Sequence, residues 1–428
     1  MEATKKKLVL KLASLAGELM MKNGAEVTRV EDTIHRICSA CGVDHVEIFA
    51  VPTGVFVSIE PDETDGEVLT YIRRLHNTTT DLRKIHDLNQ FSRTFTSTNM
   101  TVEEGLAELE RIEQQPSYPT PLILGAAALA AGAFGAIYSG SVATALLTAA
   151  IAVICELFYL FLGHLETNYF IKGMLCCAIA TALAIGCRSL GWMPGIGAAV
   201  IGVLMLYTPG AALTNSIRDL LSGDTLSGLT RLAETALIAL SLATGAGIVL
   251  RIWSLAGSMT AQQQVPISLP VMILLGALSV PGFSILFHLP AKCMIPALVT
   301  GCAGWTVYQL LSLSGHGSAI SVFFGAVFVG GFSRIFAKLI KAPETTFIIP
   351  GIIPLVPGAL TFYTMQAFLL SSIDEGFSFF MQSVSSAGMI ALGLLAIGTA
   401  AQIVNRIHHR ILRPDSRQND DPDIPLQV

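Results

Sequence analysis

From Pro119 to Asn405 the chain runs for 287 residues with only 17 of its 57 charged side chains. A segment so apolar and so long belongs in a bilayer, where no water is present to bond backbone N–H and C=O groups. It must therefore fold as helices that satisfy their own backbone. Residues 1–118 hold 32 of the charges and residues 406–428 hold 8, so a soluble head precedes the membrane domain and a short polar tail follows it. The net charge of −5, without a long basic block, gives no nucleic-acid surface. The basic N-terminus is not read as a signal peptide, because Lys11 and Glu18 interrupt its apolar run.

A span needs about 20 apolar residues. Ten windows qualify: 121–139, 142–163, 170–188, 192–213, 230–251, 268–289, 292–312, 318–340, 346–369 and 383–405. With the head in the cytoplasm, the loops and tail on that side hold Lys172, Arg218, Arg231, Lys292, Arg334, Lys338, Lys341, Arg406, Arg410 and Arg413. The opposite side holds Arg188 and Arg251, with Asp374 and Glu375. That asymmetry follows the positive-inside rule and sets both termini in the cytoplasm.

Two apolar windows contain the same triplet. Pro209-Gly210-Ala211 falls in the fourth span and Pro357-Gly358-Ala359 in the ninth. Five spans separate them, and five is odd, so two equivalent halves would be inserted upside down. Such inverted repeats characterise secondary transporters, with substrate held near the midplane where paired helices are broken. The alternatives are chance recurrence of Pro-Gly, or kinks without a ligand. The chain is thus expected to be a mainly α-helical polytopic membrane protein. Its parts are a cytoplasmic α+β domain (1–118), two five-helix halves (119–258 and 259–405) and a cytoplasmic tail (406–428).

Proline lacks an N–H and disrupts the preceding turn. The helix restarting after it has first-turn N–H groups without intrahelical partners, whose partial positive charge favours an anion. Thr208, Pro209, Gly210, Thr214 and Asn215 from one half, and Pro357, Gly358, Thr361 and Tyr363 from the other, are the candidate substrate ligands. Glu156 is the one acidic residue deep in the first three spans. An ionisable group there is costly and usually functional, so it is the candidate proton carrier; the alternative is a carboxyl bonded to a neighbouring hydroxyl. Arg218, Asp219, Asp224, Arg231 and Glu234 cluster between spans 4 and 5, either as a gate of ion pairs or as interfacial anchors.

In the head, Leu8, Leu12, Leu15 and Leu19, then Val27, Val30, Ile34 and Ile37, follow helical spacing. The period changes to two on either side of Pro52-Thr53-Gly54, which predicts a hairpin, and "EVLTYIRRL" could add a third strand. Thr101 and Glu104 predict a capping box. Glu26, Arg29, Glu31, Asp32, His35 and His45 are the polar candidates. Glu31 and His35 share a helix face, as a catalytic or metal cluster or as a solvated one. No nucleophile motif or metal-ligand spacing is complete, so neither catalysis nor a cofactor or metal is expected. The Cys38-x-x-Cys41 pair lies within helical periodicity and, like Cys176 and Cys177, reads as small buried residues.

The run "TPGAALTNSIRDLLSGDTLSGLTRLAETAL" resembles the signature of the threonine/serine exporter family. So do the head's "NGAEVTRVEDTIHRI" and "VPTGVFVSI", and "PGIIPLVPGALTFYTM" in the second half resembles the family's smaller C-terminal unit. The resemblance covers nearly the whole chain; two units that are separate proteins in some relatives are fused here. It implies a plasma-membrane exporter of threonine and serine driven by the proton motive force, with protons and the lipid bilayer as partners. A homo-oligomer is compatible with it. Two-component relatives are linked to dicarboxylate export, which is the rival substrate class. A membrane-anchored enzyme or sensor acting through the head is the rival of another kind.

Overall fold

A computed structural model describes residues 3–59, 68–75, 78–165, 167–256, 266–370 and 372–412. The head comprises α1 (Ala3–Lys22), α2 (Val27–Ala40), β1 (Val46–Val51), β2 (Gly54–Ile59), β3 (Leu69–Arg74), α3 (Leu82–Ser97) and α4 (Val102–Glu113). The strands form one antiparallel sheet in the order β1-β2-β3. Val51 pairs with Gly54 across the two-residue turn Pro52-Thr53, so the alternation in sequence sets the register. Asp81 caps α3 by accepting from the amides of Arg83 and Lys84, and the Thr101–Glu104 capping box closes on α4. Val27, Val30, Ile34, Ile37 and Cys38 are the buried face of α2. The head's core continues without a gap into Leu289, Cys293, Ala297 and Phe347, so the head sits on the ends of the membrane helices.

The remaining helices are α5 (Thr120–Ser139), α6 (Val142–His164), α7 (Tyr169–Ser189), α8 (Gly197–Tyr207), α9 (Gly210–Ser222) and α10 (Thr225–Ala256). They continue as α11 (Leu269–Leu286), α12 (Ala291–Leu313), α13 (Ser318–Ile340), α14 (Thr345–Ile352), a 3-10 turn at Ile353–Leu355, α15 (Gly358–Leu370) and α16 (Ile373–Leu412). Leucines, isoleucines and phenylalanines such as Leu146, Phe161, Leu240, Ile295 and Phe328 face outward, as a lipid-facing surface requires.

Eight helices among the described residues are long and apolar enough to cross a membrane, and the bent pair α14–α15 would make a ninth. The sequence reading expected ten. The difference lies in the fourth window, which is divided at Thr208–Pro209. There α8 has 11 residues, about 16 Å at 1.5 Å per residue, against about 30 Å of hydrocarbon. Its continuation α9 carries Arg218 and Asp219 and is too polar to count. The last span also starts earlier than position 383: α16 begins at Ile373, with Asp374 and Glu375 in its first turn rather than in a loop.

The helices recur at a constant interval. Those beginning at Thr120, Val142 and Tyr169 are followed 149 residues later by those beginning at Leu269, Ala291 and Ser318. Those beginning at Gly197, Gly210 and Thr225 are followed 148 residues later by those beginning at Thr345, Gly358 and Ile373. Packing recurs as well: α5 lies on α6 as α11 lies on α12, and α7 on α10 as α13 on α16. Partners are also exchanged, since α9 packs on α16 and α15 on α10. Between α5 and α11, Phe134 meets Phe283 edge-on at 6.1 Å, and these two residues occupy equivalent positions.

Candidate functional site

The two helix breaks have the same local geometry. Gly210 N–H donates to the Thr208 carbonyl at 2.8 Å and Leu213 N–H to the Pro209 carbonyl at 2.9 Å. In the other break Gly358 N–H donates to the Val356 carbonyl at 2.8 Å and Thr361 N–H to the Pro357 carbonyl at 3.3 Å. Each proline has no N–H to extend the preceding helix, so each chain turns and restarts.

The breaks also touch. A Cβ on Gly210 would overlap the side chain of Val356, and a Cβ on Gly358 would overlap the thioether of Met205. Gly210 and Gly358 are small because the two breaks pack against each other, and neither lines the open cavity. The sequence places both glycines among the candidate substrate ligands, and the structure sets both against the opposite break instead of in the cavity lining.

That cavity, of about 340 Å³, lies on the head side of the first break. Thr208, Pro209, Ala212 and Asn215 at the break line it together with Glu156, Tyr159 and Tyr207; Ile349 and Ile353 are the contribution of α14 and the turn after it. Head residues Met21, Gly24, Pro52 and Thr78 to Thr80 rim the opening. Glu156 is 7% exposed and accepts from the Tyr207 hydroxyl at 3.3 Å. The Tyr207 ring stacks on Tyr159 at 5.3 Å, and Lys172 Nζ stands 5.7 Å from the Tyr159 ring. Helix α9 starts at Gly210 without a side-chain cap, so the positive end of its dipole lies beside the cavity wall.

Of the candidate ligands, the cavity therefore takes Thr208, Pro209 and Asn215. Pro357, Gly358, Thr361 and Tyr363 lie elsewhere: Thr361 bonds back to the Pro357 carbonyl, and Tyr363 packs on Phe362 and Phe379. The side chain of Thr214 is outside the described residues. Tyr159, Tyr207 and the head's rim were not singled out from sequence. Tyrosines at helical spacing look like ordinary core, and nothing local signals that a loop near Gly24 reaches the membrane.

The charged cluster is brought together by the head. Arg218 Nη1 and Nη2 each lie 3.0 Å from an oxygen of Glu26. Arg231 Nε lies 3.3 Å from Asp219, and its Nη2 donates to the Ala25 carbonyl at 3.0 Å. Glu234 lines the cavity with Arg231, whereas Asp224 lines a second cavity of about 200 Å³ with Glu26, Arg218, Arg334 and Glu344. Elsewhere in the head, Glu31 accepts from the Ala50 amide at 3.2 Å, Asp32 pairs with Arg36, and His35 and His45 are exposed. Burial, the dominant cause, and the charge of Asp224 push the Glu31 carboxyl up, while the Ala50 bond pulls it down.

Apolar helices long enough to span, around a polar cavity at a broken helix, define a polytopic membrane transport protein. The family model "Putative threonine/serine exporter" matches residues 11–253, and a second, "Threonine/Serine exporter, ThrE", matches residues 272–400. The chain belongs to the threonine/serine exporter family. It is similar to the "Probable threonine/serine exporter" of Mycobacterium tuberculosis, 23% identical over 380 residues that cover 86% of this chain and 71% of that protein. The "Threonine/serine exporter" of Corynebacterium glutamicum is 22% identical over 402 residues, 90% of this chain and 81% of that one. The "Probable succinate transporter subunit YjjP" of Escherichia coli is 22% identical over 267 residues, 60% of this chain and 99% of that subunit. No solved structure matches the chain.

Proposed function

We propose that the chain exports small hydroxylated amino acids, threonine and serine, from the cytoplasm across the plasma membrane, driven by the proton motive force. The observation that carries this reading is a buried carboxylate, Glu156, lining one cavity together with a broken helix. An amino acid is a zwitterion. Its carboxylate suits the first turn of α9, where the positive end of the helix dipole favours negative charge. Its ammonium suits Glu156, and its hydroxyl suits Asn215 or Thr208. Glu156 then carries the coupled proton: ammonium and proton compete for the same carboxylate.

The constant 149- and 148-residue intervals and the Phe134–Phe283 contact support two inverted halves exchanging conformations. The positive-inside count supports a cytoplasmic head, so the cavity would face the cytoplasm. Arg231 and Glu234, which line the cavity, act in this reading as a gate together with the neighbouring Arg218, Asp219 and Asp224, which line the second cavity. Export of a dicarboxylate is disfavoured. The cavity's described lining holds Glu156 and Glu234 against one arginine, Arg231, which is already paired with Asp219. Efflux of labelled serine, threonine and succinate from proteoliposomes, with and without a proton gradient, tests the proposal. Gradient-driven efflux of serine and threonine is expected; efflux of succinate alone would overturn the substrate assignment.

A further inference from the structure

The interval assigns counterparts to cavity residues of α6 to α10. A shift of 149 residues takes Glu156 to Trp305, Tyr159 to Tyr308 and Gly173 to Val322. A shift of 148 takes Tyr207 to Leu355, Thr208 to Val356 and Leu242 to Ile390. The first member of each pair lines the open cavity. The second members Trp305, Val322, Leu355, Val356 and Ile390 are buried together in one apolar cluster, with Tyr308 packed on it. The polar pair Asn215 and Arg231 likewise becomes Tyr363 and Phe379, whose rings lie 5.8 Å apart.

Trp305 is the centre of this substitution. Its ring stacks on Tyr308 at 5.2 Å, and its Nε1 donates to the Met272 carbonyl at 2.9 Å. A Cβ on Gly276 would overlap the indole, so α11 holds a slot for the ring. Trp305 is 6% exposed and Ile390 0%.

We infer that this cluster is a second, closed pathway through the protein, with Trp305 as its plug. It is the counterpart of the open cavity and rests on the reading of two inverted halves exchanging conformations. It opens on the membrane face away from the head when the head-side cavity closes. The replacement of a carboxylate by an indole has a physical consequence. A carboxylate at both positions would line both pathways with hydrated, titratable groups. An aromatic plug excludes water and protons from the far side and leaves Glu156 as the one titratable group of the pair.

The test uses the full chain in intact cells, with Ile390→Cys as a reporter and a membrane-impermeant maleimide added outside. Modification is read at that one peptide by mass spectrometry, so the native cysteines remain. Trp305→Ala should raise labelling of position 390 at least about tenfold by shifting the closed state toward the open one, whereas Trp305→Phe should leave it near the parental level. If Trp305→Ala does not reach the membrane, Tyr308→Ala takes its place. Unchanged labelling in an inserted variant overturns the plug. Serine and threonine efflux of the unsubstituted protein is measured separately. Efflux with unchanged labelling overturns the plug and leaves transport standing. Raised labelling without efflux sustains the plug and overturns the substrate assignment.

Discussion

Glu26 and Arg218, 192 residues apart, face each other through two N···O contacts of 3.0 Å, and so join the head to the helix that follows the first break. Glu26 is buried and Arg218 half-buried. Removing one partner leaves the other charge poorly hydrated. Glu26→Gln and Arg218→Gln should each destabilise the protein more than the double substitution does relative to either single one. A coupling of about 1–3 kcal/mol is expected for such a contact. Thermal unfolding of the four proteins in detergent measures it; additive effects would mean that the pair does not hold the head in place.

Glu156→Gln keeps the size of the side chain and removes its titration. In the proposed mechanism gradient-driven export collapses while serine exchange persists. Tyr207→Phe removes only the hydroxyl that donates to Glu156 at 3.3 Å. The loss of one donor to a charged carboxylate, about 1.5–3 kcal/mol, corresponds to roughly a ten- to hundredfold change in apparent affinity. Normal gradient-driven export by Glu156→Gln would remove the carboxyl from the mechanism.

The glycines at the breaks should differ in tolerance. Gly210→Ala drives a methyl into Val356, a stiff β-branched side chain, whereas Gly358→Ala meets the flexible end of Met205. Gly210→Ala should therefore cost more, about 1–3 kcal/mol as an overpacked contact. Val356→Ala, which removes the two overlapping methyls, should restore much of that stability. Failure of the rescue, measured by thermal unfolding and transport together, would mean that the breaks do not pack as described.

His288 should make docking of the head sensitive to acid. It lies in the loop between α11 and α12, stacks on Tyr118 at 5.8 Å and has a positive φ of 54°. Burial, above all, lowers its pKa below the ordinary 6.5; Arg83 and Lys84 add to this and Asp81 opposes it. The folded protein thus resists a proton that the unfolded chain takes up. The stability contributed by neutral His288 is full above pH 6.5 and is lost as pH falls through the lower folded value. His288→Asn tolerates the positive φ and does not titrate, so its melting temperature should fall less between pH 7 and pH 5. Equal slopes for both proteins would exclude His288 as the source.

The sequence by itself determined what is local. Apolar windows, Pro-Gly breaks, the hairpin at Pro52-Thr53 and the Thr101–Glu104 cap follow from periodicity and from neighbours within a turn or two. Those are the distances over which helices and hairpins choose their conformation. It also marked Glu156, because one carboxylate in a long apolar run stands out against its surroundings. The tertiary structure alone decided what depends on contacts between distant segments. Gly210 is small because of Val356, a residue 146 positions further along the chain. Glu26 matters because a loop of the head reaches Arg218. Trp305 is the counterpart of Glu156 only once the 149-residue interval between helices is seen. In a membrane domain nearly every helix position is apolar, so hydropathy cannot separate a lipid-facing residue from one on a pathway. That distinction is set by which helices pack together, and packing is a property of the whole chain.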